Sequence, residues 1–103
     1  MFTYNEKDYE LKFNIKRLEI IEKATGKSSV GMMVADNNGI MGVSSVMAFY
    51  SYGLKEAGAD TFVAPKVAQE ICEARMNEIG YMEVVKELQG AIQHDCPFLF
   101  RGV

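Results

Sequence analysis

The stretch MFTYNEKDYELKFNIKRLEIIEKATG (residues 1–26) changes its period at Asn14. Before Asn14, apolar and polar residues alternate. Phe2 and Tyr4 flank Thr3, and Tyr9, Leu11 and Phe13 flank Glu10 and Lys12. That is the period-two pattern of strands with one buried face. The polar run Asn5–Asp8 between them has the length and composition of a hairpin turn. After Asn14 the pattern becomes helical, with Ile15, Leu18 and Ile21 or Glu22 on one side. Asn14 is a good N-cap and Gly26 a good stop. A lone two-stranded hairpin is marginal in water, so its greasy face needs a helix against it.

The remainder reads as mostly helical. Residues 27–42 (KSSVGMMVADNNGIMG) carry three glycines and the turn signal Asp36-Asn37-Asn38-Gly39. They admit a short helical turn, a strand or a loop, and the preferred reading is a loop with one short helical piece. A helix is expected over Gly42–Ala57, capped by Ser44 or Ser45 and ended by Gly58, with Val43, Val46 or Met47, Tyr50 and Leu54 as its stripe. Phe49 and Tyr52 fall off that stripe. Pro65 suits the first position of a helix running through Ile79, with Val67, Ile71, Cys72 or Arg75, and Ile79 inside. Gly80 breaks it. A last helix from Tyr81 to about His94 places Met82, Val85, Leu88 and Ile92 on one face, and Asp95-Cys96-Pro97 ends it.

The expected fold is therefore α+β and mainly helical: an N-terminal two-stranded hairpin followed by about four helices. One domain accounts for all 103 residues, as hairpin 1–13, helical region 14–95 and short apolar tail 96–103. Hydrophobic residues make up 49% and charged residues 24%, which is globular rather than disordered composition.

Charge and composition remove several functions. The net charge is −3, and basic groups such as Lys16-Arg17 have acids close by, so a nucleic-acid partner is not expected. Ile40–Leu54, the most apolar stretch, carries three serines and two tyrosines and is shorter than the ~20 residues of a spanning helix. No membrane association is expected. Cys72 and Cys96 lack CxxC spacing, and the first residues lack a secretory pattern, so two reduced thiols are the expectation.

Chemistry-bearing motifs are equally sparse. His94 is the single histidine, and a histidine near a helix end commonly meets the terminal carbonyls. The Asp36–Gly39 run lacks the alternating acids and final glutamate of a calcium loop. Gly31, Gly39 and Gly42 form no phosphate-binding pattern. No catalytic residue, metal or cofactor is expected. What stands out is seven methionines. Flexible, polarisable methionines fill irregular cores or line surfaces that accept apolar partners. Met76 and Met82 sit on periodic helices and read as core. Met32, Met33 and Met41 lie in a glycine-rich stretch that is hard to bury, where core and partner surface weigh evenly. The tail Phe98, Leu99 and Phe100 either docks on the core or forms an exposed apolar strip.

The hairpin ending DYELKFN and the helix IKRLEIIEKATG resemble the tail assembly chaperones of long-tailed bacteriophages. The matching positions are Tyr9, Leu11, Phe13, Leu18 and Glu22. The resemblance is specific over about the first 26 residues and looser beyond. It implies a protein without an active site that binds the tape-measure protein, keeps it soluble and helps recruit the tail-tube protein. It also implies work in the host bacterial cytoplasm and absence from the mature virion. Many members of that group are also made as a frameshifted longer form. The alternative is a virion structural protein, such as a head–tail connector or tail-completion protein. Amphipathicity alone marks Met32, Met33, Met41, Phe49, Tyr52, Phe98, Leu99 and Phe100 as the partner-binding surface. The hairpin edge and the apolar surplus also favour a homo-oligomer.

Overall fold

The computed structural model describes residues 1–34 and 41–100. The Asp36–Gly39 turn signal and residues 101–103 lie outside the described residues, as does the side chain of Phe100. The architecture is α+β and mainly helical: a small antiparallel sheet followed and covered by helices.

Strands β1 (Phe2–Tyr4) and β2 (Lys7–Leu11) pair antiparallel with Phe2 opposite Tyr9 and Tyr4 opposite Lys7. Only Asn5 and Glu6 remain in the turn, both with positive φ (49° and 67°). That is the two-residue mirror-image turn whose twist matches a hairpin. The register puts Phe2 and Tyr9 in a stacked pair with ring centroids 5.9 Å apart.

Helix α1 (Ile15–Thr25) begins where the sequence says it should. The Asn14 side chain accepts from the Arg17 N–H at 2.9 Å, and the Gly26 N–H donates back to the Glu22 carbonyl. Its buried residues are Leu18 and Ile21, whereas Ile15 is 61% exposed. A short helix α2 (Ser29–Val34) follows, fixed to α1 by Glu22, whose carboxylate accepts the Ser29 N–H at 2.7 Å.

The main departure comes next. The expected helix over Gly42–Ala57 stops at Gly53: α3 spans Val43–Gly53 and β3 spans Leu54–Glu56. Strand β3 pairs antiparallel with β2, Leu54 opposite Leu11 and Tyr9 opposite Glu56, so the sheet has three strands in the order β1-β2-β3. The reason is local crowding plus long-range pairing. A Cβ on Gly53 would stand 2.3 Å from the Phe13 ring, so any side chain here would have to displace that ring. Beyond it the backbone carries the Lys12 N–H to Gly53 O bond (2.8 Å) and the Ala57 N–H to Asp8 O bond (2.9 Å) into the ladder. The third strand gives the hairpin the support it lacks alone. The expected serine cap is absent too: the N-cap of α3 is Gly42, without a side-chain bond.

Helices α4 (Pro65–Ile79) and α5 (Tyr81–Asp95) are joined by a single residue, Gly80, at φ 91° and ψ 152°. Only glycine takes those angles without strain. A short 3-10 helix (Pro97–Phe100) follows α5. One cluster of buried side chains runs through these elements, with Val46, Phe49 and Tyr50 of α3, Ile71 and Cys72 of α4, and Leu88 and Ile92 of α5 at its centre. In α1, α3, α4 and α5 the apolar residue expected to lead the inner stripe faces outward instead: Ile15, Val43, Val67 and Met82 are exposed. Buried positions begin later in each helix, at Leu18, Ser45, Ala68 and Val84.

Candidate functional site

Four of the eight residues marked as partner surface are core. Met32 and Met33 are buried in the core cluster, on a helix that packs against α1. Gly31 lies in that helix, and its N–H donates to the Ser28 hydroxyl at 3.0 Å, so that backbone donor is paired and the segment can be covered. Met41 is buried, and its carbonyl accepts the Tyr81 hydroxyl. Phe49 is sealed, its ring edge-on to Phe13 at 5.9 Å. These four do not form an exposed surface in this conformation. Tyr52 and Leu99 are half-buried, and Phe98 is 46% exposed.

Tyr52 belongs to a groove that the sequence reading did not assemble. One open cleft of about 400 Å³ is lined by Ala24 and Thr25 of α1, by Ser44, Met47, Ala48, Ser51 and Tyr52 of α3, and by Gln69 of α4. A second, of about 200 Å³, is lined by Thr25, Lys27, Met32, Ser44 and Ser45. They share Thr25 and Ser44 and so form one trough along the outer side of α3. Val46, Phe49 and Tyr50 take the inner side of that helix, which leaves Met47, Ala48 and Tyr52 half-buried on the trough side. Two of the hydroxyls here are engaged. Ser51 donates to the Met47 carbonyl at 2.6 Å, and Thr25 donates to the Ile21 carbonyl at 2.9 Å while accepting the Lys27 N–H. The middle of the trough is thus small and apolar, the surface on which a partner helix can lie closely. Met47 carried a sequence signal, as the alternative to Val46 on the stripe of that helix, but only the neighbour packed on each side of α3 shows which face is open.

A cleft of about 440 Å³ lies between the hairpin and α5, lined among others by Glu10, Lys12, Glu87, His94 and Asp95. Its charges neutralise one another. Lys12 and His94 both approach Asp95, at 3.5 and 3.0 Å, and Glu10 faces Lys55 at 3.9 Å. Glu87 accepts from Arg75 and, at 3.2 Å, from the Tyr50 hydroxyl. Arg75 is buried and covers the Phe2 ring, its guanidinium carbon 4.1 Å from the centroid. Burial first, and then the nearby Glu87 charge, push the Tyr50 phenol well above its ordinary value, so it stays a donor. This network ties β1, α3, α4 and α5 together. The expected contact of His94 with terminal carbonyls is replaced by its bond to the Asp95 side chain.

Among the described residues, no group of three or more His, Cys, Asp or Glu side chains is arranged to hold a metal ion, and no helix is long and apolar enough to cross a membrane. Cys72 and Cys96 are free and buried. Comparison with protein-family models, with curated proteins and with solved structures finds no match to this chain.

Proposed function

We propose that this chain is a tail assembly chaperone of the long-tailed-phage type, a binding protein that shields apolar helical stretches of the tape-measure protein until tail-tube subunits assemble around it. The observation that carries the reading is the open trough along α3, with Met47, Ala48 and Tyr52 exposed enough to meet a partner and small residues between them. Phe98 adds an exposed apolar residue beyond α5.

The positions of the family resemblance support the same reading through the fold. Tyr9, Phe13 and Leu18 are buried at the hairpin–helix junction, and Glu22 fastens α2 to the end of α1. They build the platform from which α3 presents its outer face. Apolar surface removed from water contributes about 25 cal/mol per Å². A trough this small therefore gives weak single contacts, and many copies along one long chain would supply the avidity. The work would be done in the host cytoplasm, and the finished virion would lack the protein.

The test is co-expression with the tape-measure protein encoded in the same genome. The wild-type chain should raise the soluble fraction, and Ala48→Glu or Tyr52→Asp should abolish the gain while leaving the chain folded. A tape-measure protein that stays insoluble with the wild-type chain would end the proposal. Detection of the chain in purified virions by mass spectrometry would replace it with a structural role in the particle.

A further inference from the structure

We infer that the trough along α3 continues over α1 to the half-buried Arg17, and that it takes an amphipathic partner helix with an acidic residue beside its apolar stripe. This rests on the reading of the trough as a helix-binding surface and names the chemistry of the helix it selects.

Arg17, Ile20 and Ala24 follow one another along α1 at steps of three and four, so they share one side of that helix. Ala24 lines the trough. Arg17 and Ile20 line a neighbouring open cleft of about 500 Å³, together with Asp60 and Phe62 of the segment before α4. Two helical turns, about 10 Å, separate Arg17 from Ala24. The apolar run of Met47, Ala48, Ala24 and Ile20 therefore ends on a cation.

That cation is held in place. Its guanidinium carbon lies 3.6 Å from the centroid of the Phe62 ring. Phe62 is itself fixed to the sheet by its bridge to Lys55 and by the next residue, whose N–H donates to the Leu54 carbonyl at 2.9 Å. Stacking occupies the flat face of the guanidinium and leaves its N–H fork, the shape that a carboxylate matches. The fork makes no ion pair or hydrogen bond among the described residues, and Asp60 lines the same cleft without pairing to it. Burial lowers the Arg17 guanidinium from its ordinary value, with no carboxylate to offset the effect.

Charge sets the sign of the partner. The clefts along α1 and α3 are lined by Lys16, Arg17 and Lys27 against the carboxylate of Asp60, on a chain whose net charge is −3. Lys16 and Lys27 are exposed and add long-range attraction only, whereas Arg17 is placed to make a bond. An apolar trough with a positive end is complementary to a helix bearing Asp or Glu and repels a basic one. A second copy of this chain offers no such helix. Its strongly exposed large apolar residues on helices, Ile15, Val30, Val43, Val67 and Met82, stand one to a helix among the described residues.

The test uses two synthetic helical peptides with one leucine–alanine stripe, flanked by glutamates in the first and by lysines in the second. Each is titrated into the isotopically labelled full chain, with the Ala48 and Tyr52 amides and the Arg17 Nε–H resonance as readouts. The glutamate peptide should saturate all three signals and bind about fivefold or more tighter than the lysine peptide. Added sodium chloride should shrink that difference. Arg17→Gln should remove the preference while both peptides still shift Ala48 and Tyr52, and Arg17→Lys should keep part of it. Equal affinities for the wild-type chain, or a preference unchanged in Arg17→Gln, overturn this inference and leave helix binding standing. Saturation by neither peptide overturns both. Self-association of the chain alone that Ala48→Glu abolishes would give the trough to a second copy and overturn the inference as well.

Discussion

The backbone N–H of Phe13 donates to the carboxylate of Asp95 at 2.9 Å, across 82 residues of sequence. Phe13 ends the hairpin and Asp95 ends α5, so one side chain fastens the first structural unit to the last. Lys12 lies 3.5 Å from the same carboxylate, and His94 bonds it as well.

Asp95→Ala should cost about 1.5–3 kcal/mol, the range for a partly buried hydrogen bond to a charged group. The pH dependence follows from the same contacts. Burial pushes this carboxyl up, but the bonds from His94, the Phe13 amide and Lys12 outweigh it and hold it below its ordinary range. A carboxyl depressed on folding adds stability that is complete above its unfolded value, near 3.9, and is lost as pH falls through the lower folded value. Urea midpoints measured from pH 6 down to pH 2 should fall less steeply in Asp95→Asn than in the wild type. Parallel curves would show that Asp95 does not carry the acid sensitivity.

Gly53→Ala should destabilise by about 1–3 kcal/mol through overpacking, because the new methyl meets the Phe13 ring. Phe13 is itself held by Phe49, so the ring has little room to move away. Phe13→Leu combined with Gly53→Ala should cost less than the sum of the two single changes. Additive values in a double-mutant cycle would mean that the ring is not what requires glycine.

Glu6→Gly should stabilise the chain by up to about 1 kcal/mol. Asn5 tolerates a positive φ well, but Glu6 holds φ 67° against its own Cβ. A higher denaturant midpoint with an unchanged slope is the expected record, and a lower midpoint would rule out strain at this position.

The two cysteines should resist alkylation until the protein unfolds. Both are buried, and burial with the Glu73 and Glu87 charges pushes the Cys72 thiol up to about 12. Burial and the Asp95 charge also raise the Cys96 thiol. At pH 8 a thiol reagent should label neither residue in the native protein and both in denaturant. Rapid native labelling of Cys72 would mean that α3 and α4 separate readily.

Most element boundaries were legible because a local signal sets them. Asn14 caps α1, Gly26 ends it, Pro65 opens α4, Gly80 divides α4 from α5, and Pro97 stops α5. Each acts within a turn of its own position, so the sequence alone determined where these helices begin and end and that a hairpin precedes them. Strand β3 was not legible. Leu54–Glu56 lies in a run that suits a helix, and it becomes a strand only because β2 offers an edge and Phe13 crowds Gly53. The candidate surface shows the same division. Amphipathicity marked Phe49 and Tyr52 alike, but Phe13 closed over one while the trough left the other half-open. Which apolar side chains remain available to a partner depends on what packs against each face of a helix, and that is decided by contacts far apart in the chain.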